Sequence, residues 1–297
     1  MEKVIRFIYR GGLGNQLFEY AAMLYIKKNF PEVKIIPDFG EYYYDCFHNG
    51  IGIQKIFHTD FAGEINKIEY FRKSYNKKES KVHRIARIAW YKLSGYKTFY
   101  NSAIITPNKM AKVIDSNQKM IFAGFFQNDT FASAIKKDLQ RDLIQYASLG
   151  ADNDGLLARI KERYSISLHI RRGDYIGLPL YDVFNGTEYY QRAISYFKIK
   201  YHNPVFVIFS DDIPWVKENL IIGCDCEYVD WNNGEDSFKD LIVMSHCAHN
   251  IIANSSFSWW GAWLNQNPDK IVISPKKWFI GKPSDEVVPC DWLRFDN

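Results

Sequence analysis

Apolar positions along this chain switch between two periods. An apolar run near 3–9 predicts a strand, and the glycine turn 11–14 follows it. Leu17, Phe18, Ala21, Leu24 and Tyr25 then recur at helical spacing and predict a helix. The run 33–36 reads as a buried strand that Pro37 stops. KMIFAG at 119–124 is a further strand. A helix over 129–147 carries the stripe Phe131, Ile135, Leu139 and Leu143. The glycine- and aspartate-rich stretch 150–155 reads as a turn and linker. Beyond it the alternation is cleaner. A strand at 165–170 precedes a helix that Thr187 can cap, with Tyr190, Ala193, Ile194, Phe197 and Tyr201 on its stripe. A strand at 205–209 ends at Ser210, Asp211 and Asp212. A helix carrying Phe238, Leu241, Ile242 and Ser245 leads to strands at 250–253 and 270–274.

Strands alternating with helices imply an α/β fold with parallel sheets covered on both faces. Such sheets bind ligands beyond the carboxyl ends of their strands, where the polar clusters of this chain fall. The 297 residues suffice for two domains, divided near the linker into 1–150 and 151–297. Residues 40–115 interrupt the pattern. Tyr42, Tyr43 and Tyr44 and the Lys/Arg-rich segment 67–112 look like an insertion. Within it Val82, Ile85, Ala86, Ala89 and Leu93 form an apolar stripe beside Lys81, Arg84, Arg87 and Lys92. The stripe suits a membrane surface. A solvated basic helix packed on its own domain is the simpler expectation.

The composition is that of an ordinary soluble globular protein, at 47% hydrophobic and 24% charged. The net charge of +4 is too mild to argue for nucleic acid. It is compatible with a polyanionic small ligand or an anionic membrane. Cys46, Cys224, Cys226, Cys247 and Cys290 are odd in number and lack paired CxxC spacing, so reduced thiols are expected rather than structural zinc. The opening MEKVIRFIYRGG has too short an apolar run for a signal peptide, and no apolar stretch approaches ~18 residues. The expected location is the cytoplasm, with peripheral contact at the inner membrane face.

Four motifs carry candidate chemistry. His169-Ile170-Arg171-Arg172-Gly173-Asp174-Tyr175 follows directly on a buried strand. Arginine presents a planar fork of donors that matches phosphate oxygens. Neighbours in an extended segment point to opposite sides, so one arginine can face a ligand while the other anchors the loop. Asp174 can brace an arginine or take part in the reaction; a structural Arg–Asp pair is the plainer alternative. In the second motif, Asn254 to Trp263, a strand end leads into a helix start, whose free N–H groups favour phosphate. Ser255 and Ser256 add hydroxyl donors, whereas Trp259, Trp260 and Trp263 read as core. The third, Gly11-Gly12-Leu13-Gly14-Asn15-Gln16, departs from the GxGxxG spacing and is not a Walker loop. It indicates a close backbone approach to phosphate or sugar, with Gly12, Gly14 and Asn15 as candidate contacts. The fourth is Asp240, a carboxylate able to accept two N–H donors from guanine, or else an ordinary surface acid.

Taken together, GGLGNQLFEYA, FAGFFQ at 122–127, HIRRGDY, FSDD and ANSSFSWWGAWLN resemble the galactoside α-1,2-fucosyltransferase family of bacteria and animals. The resemblance runs over nearly the whole chain except the basic 40–115 region. It implies a GT-B fold, two Rossmann-like domains facing a cleft, with an N-terminal acceptor-binding domain and a C-terminal GDP-fucose-binding domain. It implies that Arg171 or Arg172 meets the pyrophosphate with His169 nearby, that Asp240 binds guanine, and that Ser256 contacts phosphate. No metal or other cofactor is implied. The expected partners are GDP-fucose and a galactoside-terminated oligosaccharide or lipid-linked glycan such as an O-antigen unit, with no nucleic acid. The resemblance maps no catalytic base onto one residue. A carboxylate or a histidine could take the acceptor's proton: Asp174, Glu19 and Asp38 are the carboxylate candidates, Asp174 first, and Arg171, Asp174 and His169 are the expected catalytic residues. Transfer in α-1,6 or α-1,3 linkage, a dinucleotide-dependent oxidoreductase and a non-catalytic carbohydrate-binding module are the rival readings.

Overall fold

A computed structural model describes residues 2–44, 49–61, 65, 81–101, 105–173, 175–181, 184, 186–281 and 285–297. The chain divides into two units, Met1–Ile144 and Gln145–Asn297.

In the first unit, strand β1 (Lys3–Ile8) turns at Gly11 into helix α1 (Leu13–Asn29), which returns to the parallel strand β2 (Val33–Asp38). Gly11 has φ 77°, and a Cβ there would stand 3.0 Å from Asn15 Nδ2 and 3.1 Å from Phe125 Cε1. Glycine is the residue that fits both demands. Helix α2 (Lys81–Leu93) precedes strand β3 (Lys97–Asn101), and α3 (Pro107–Asp115) precedes β4 (Lys119–Gly124). The four strands form a parallel sheet in the order β2-β1-β4-β3. Pro37 lies inside β2 and does not stop it. β2 is an edge strand, where a residue lacking an N–H need not break a ladder. The helix expected over 129–147 is two short ones, α4 (Asp129–Ala134) and α5 (Lys136–Asp142). It ends early because Leu143 and Ile144 turn to pair with Phe57 and Ile56. Leu24 and Tyr25 of α1 are only half-buried. Gln16, Glu19, Ala22, Met23 and Ile26 are buried instead, because this helix is covered on more than one face.

The second unit holds a six-stranded, all-parallel sheet in the order β10-β9-β8-β5-β6-β7. Its strands are β5 (Ser165–Ile170), β6 (Val205–Ser210), β7 (Cys226–Val229), β8 (His249–Ile251), β9 (Val272–Pro275) and β10 (Leu293–Phe295). Helices α6 (Ala151–Ile160), α7 (Glu188–Lys200), α8 (Ile213–Asn219), α9 (Phe238–His246) and α10 (Ser256–Leu264) connect them. Most of the stretch read as a linker at 150–155 is the start of α6. Gly150 supplies the unusual φ of 97° before it, and Asp152 and Asp154 favour the positive end of its dipole. Asp154 also accepts from Leu149 N and Ser148 Oγ, which holds the entry. Thr187 precedes α7 but makes no side-chain cap bond. Trp259, Trp260 and Trp263 are core, as their pattern implies. Cys224, Cys226, Cys247 and Cys290 are free thiols, and Cys46 lies outside the described residues.

Helices α9 and α10 cross closely at Gly261, where a Cβ would stand 2.8 Å from Met244 Cβ. Alanine improves an open helix interior, yet here Met244 Cβ, which no side-chain rotation can move away, leaves it no room. Gly261→Ala is therefore expected to destabilise the protein by about 1–3 kcal/mol. A thermal melt unchanged or raised would show that the two helices part without cost.

Candidate functional site

The carboxyl ends of β5, β6, β7 and β8 lie on one edge of the larger sheet, because all four run parallel in register. β5 is central and fully buried, and it delivers His169 and then the two arginines to that edge. Its neighbour β6 ends level with it, Ile170 beside Ser210, and so delivers Asp211 and Asp212. Asp211 Oδ2 meets Arg171 Nη1 at 3.1 Å, and Asp211 Oδ1 accepts from Arg172 N at 2.9 Å. Asp212 Oδ2 meets Arg172 Nε at 3.2 Å, while its Oδ1 caps α8 by accepting from Trp215 N. The Arg172 guanidinium stacks on the Trp215 ring at 3.5 Å. A Cβ on Gly173 would stand 2.6 Å from Asp211 Oδ2, so the glycine is what allows this close packing.

Both arginines are braced by acids, Arg171 by Asp211 and Arg172 by Asp212. They are not equivalent. Arg172 spends its Nε on the brace and its face on Trp215, which leaves its outer fork without a protein acceptor among the described residues. Fixing the planar group in advance lowers the entropy lost when an anion binds. Arg171 also lies over the Tyr175 ring, 5.5 Å from its centroid.

His169 is buried beneath this loop, with its ring 6.0 Å from that of Phe257 in the first turn of α10. Burial, aided by the Arg171 charge, pulls its pKa down to about 3. It is a neutral imidazole at physiological pH, too weak a base to take a proton there. Its Nδ1 has no hydrogen-bond partner among the described residues. Helix α10 starts after β8, the strand beside β5. Ser255 occupies the N-cap without a side-chain cap bond, and no acid stands in the first turn. The hydroxyls of Ser255 and Ser256 make no protein contact among the described residues as donors. Asn254, by contrast, is a clasp, with Nδ2 donating to the carbonyls of Tyr181 and Trp278.

Asp240 lies in the first turn of α9, which follows the carboxyl end of β7. It is not an ordinary surface acid. Burial raises its pKa to about 7, against the opposing hydrogen bond from Asn232. Asn232 Nδ2 donates to Oδ1 at 2.7 Å and is held in turn by Asn153, which also accepts from Trp231 Nε1. Oδ2 has no protein donor among the described residues. Asp174 lies outside the described residues.

Gly12, Gly14 and Asn15 belong to the first unit, at the carboxyl end of β1. Gly12 is the N-cap residue of α1, Gly14 is buried within the helix, and Asn15 Oδ1 accepts from Gln127 Nε2 at 2.8 Å. Gln16 ties the turn to its surroundings by donating to the carbonyls of Gly11 and Gly50 and accepting from Gly52 N. Phe126, beside Gln127, holds φ 48°, a conformation costly for a bulky residue. Two of the carboxylates considered as bases are engaged. Asp38 binds Arg6, Gly40 N and Tyr91 Oη, and Glu19 is fully buried against Arg10 N, with its pKa raised by burial. Among the described residues no three His, Cys, Asp or Glu side chains gather as a metal site requires.

The family model for "Glycosyl transferase family 11" matches residues 105–282. An Escherichia coli O-antigen biosynthesis glycosyltransferase, WbnK, is 31% identical over 307 residues, covering 95% of this chain and 97% of its own length. The chain belongs to glycosyl transferase family 11. An α-1,2-colitosyltransferase of Escherichia coli is also 31% identical, covering 97% of each chain. Galactoside α-(1,2)-fucosyltransferase 1 of Rattus norvegicus is 27% identical over 154 residues, 48% of this chain and 41% of its own. Among solved structures, the α-1,6-fucosyltransferase NodZ co-crystallised with GDP superposes with a TM-score of 0.52 at 13% identity, covering 89% of this chain and 93% of that one. The fold is accordingly of the GT-B type. No helix among the described residues is long and apolar enough to cross a membrane.

Within this family 11 chain, sequence reading overlooked Asp211 and Asp212 as orienting groups, together with Trp215, Asn232 and Asn153. The Asp pair at a strand end was the available signal. Sequence spacing gave no sign that β6 is the neighbour of β5.

Proposed function

We propose that this family 11 enzyme transfers L-fucose from GDP-β-L-fucose to the 2-hydroxyl of a terminal β-galactoside, with inversion and without a bound metal. The observation that carries the proposal is the pair of braced arginines at the end of β5, on the same sheet edge as the open start of α10. Negative charge develops on the leaving diphosphate as the sugar–oxygen bond breaks. Fixed donors that meet that charge lower the barrier most. Arg171 and Arg172 would take the diphosphate, with Ser255, Ser256 and the first-turn N–H groups of α10 beside it. They would do there what a divalent cation does in metal-dependent sites. Asp240 would receive the N–H edge of guanine on its free oxygen. A neutral His169 would orient this loop or donate one hydrogen bond. The acceptor hydroxyl loses its proton to a carboxylate, for which Asp174 is the first candidate. Gly12, Gly14 and Asn15, at the carboxyl end of β1, are proposed as further donor contacts.

Colitose in place of fucose is the second reading, favoured by the colitosyltransferase relative. Colitose lacks the 3-hydroxyl of fucose. A site that hydrogen-bonds that hydroxyl would reject colitose strongly, whereas an apolar one would discriminate weakly. The two donors are therefore assayed side by side.

The deciding experiment incubates the protein with GDP-fucose and lactose in the presence of EDTA and follows GDP release and product linkage. An α-1,2-fucosylated product formed despite the chelator is the expected result. Should lactose be refused, calorimetry with GDP decides, and absence of GDP binding overturns the proposal.

A further inference from the structure

Helix α2 turns an apolar face outward. Ile85, Trp90 and Leu93 are 67%, 53% and 88% exposed, and Ala86 and Ala89 between them are exposed as well. A helix of a soluble domain ordinarily turns such a face to the core. Here the attachment is made by another side. Tyr91 is buried against Ile8, Ile121 and Ala123 and donates its hydroxyl to Asp38 Oδ2 at 3.0 Å. The Arg6 guanidinium lies over the rings of Trp90 and Tyr91. The helix is therefore docked to the sheet with this face left uncovered by the described residues.

Charge identifies the occupant. Lys81–Leu93 contains Lys81, Arg84, Arg87 and Lys92 and no acidic residue. A second copy laid face to face would oppose like charges, on a chain that is already positive overall. A bilayer with anionic headgroups meets both needs, taking the apolar side chains below and the cations at the surface. Tryptophan is also favoured at that depth. We infer that the outer face of α2 lies on an anionic membrane surface and holds the enzyme there peripherally.

Flotation of the whole chain with vesicles tests this. The protein is expected to float with phosphatidylcholine vesicles containing phosphatidylglycerol, and to stay behind with phosphatidylcholine alone. Leu93→Glu and Ile85→Glu should each weaken partition by about tenfold or more, and Lys92→Gln by roughly fivefold. Circular dichroism and melting temperature should not change, since these side chains face solvent. Failure of the wild-type protein to float with the anionic vesicles would overturn the inference, as would undiminished flotation of Leu93→Glu. A concentration-dependent dimer that Leu93→Glu dissolves would assign the face to a second copy instead. None of these readouts depends on the donor or acceptor.

Discussion

Arg171→Ala is expected to lower sugar transfer by roughly 10²–10³-fold, the usual loss when one preorganised donor to a developing anion is removed. The fold should survive. The Arg171–Asp211 pair is partly exposed, with side-chain exposures of 33% and 24%, and such pairs contribute about 0–1 kcal/mol. Asp211 would retain its bond from Arg172 N. The loss should fall mainly on kcat, because negative charge builds on the diphosphate between the bound substrate and the transition state. Arg172→Lys supplies the complementary measurement. Lysine keeps the charge but gives up the bond to Asp212, the stacking on Trp215 and the planar fork. A comparable fall in that variant would assign the effect to geometry rather than to charge alone. Normal turnover in a well-folded Arg171→Ala protein would remove Arg171 from the reaction.

This asymmetry between the arginines also shows what one-dimensional reading could reach. The strands β1, β5 and β6 and the helices α7 and α10 were legible because their apolar spacing is regular and their caps or glycines are local signals. β7 and β10 were not, since four and three residues at a sheet edge carry too little pattern. The motif at 169–175 could be singled out as a candidate phosphate site from residue type alone. The brace did not, because Asp211 is forty residues from Arg171 and meets it only through the pairing of β5 with β6. Asp240 could be suspected from resemblance, but its shifted protonation could not. That shift comes from burial, and Asn232, in the loop after β7, bonds Asp240 while Asn153 of α6 holds Asn232. The outward face of α2 was visible as a stripe, yet spacing cannot say which side of a helix meets the sheet.

Asp240→Asn should separate stability from binding. The folded protein holds the Asp240 proton up to about pH 7, whereas an unfolded chain releases it near pH 4. Between those values the folded state binds more protons, so this residue's contribution to stability is present at low pH and is lost as pH rises through about 7. Asparagine has no charge to bury, and its oxygen can still accept from Asn232. The variant should therefore match the wild type in stability near pH 4 and gain on it steadily as pH rises, becoming more stable at pH 8 by an amount on the order of 2–4 kcal/mol. Nucleotide binding should move the other way. Guanine offers two N–H donors on one edge, which only the ionised carboxylate can accept well. Replacing it with an amide brings an N–H against those donors and should weaken GDP by at least about 10²-fold. In the wild type, guanosine affinity should rise with pH from 6 to 8 and level off as the carboxylate completes its ionisation. Guanosine has no phosphate to titrate, so the slope belongs to Asp240. A flat profile in the wild type, or full GDP affinity in a stabilised Asp240→Asn, would place the guanine elsewhere. Loss of binding together with loss of stability would mean that the carboxylate holds the Asn232–Asn153 network rather than the base.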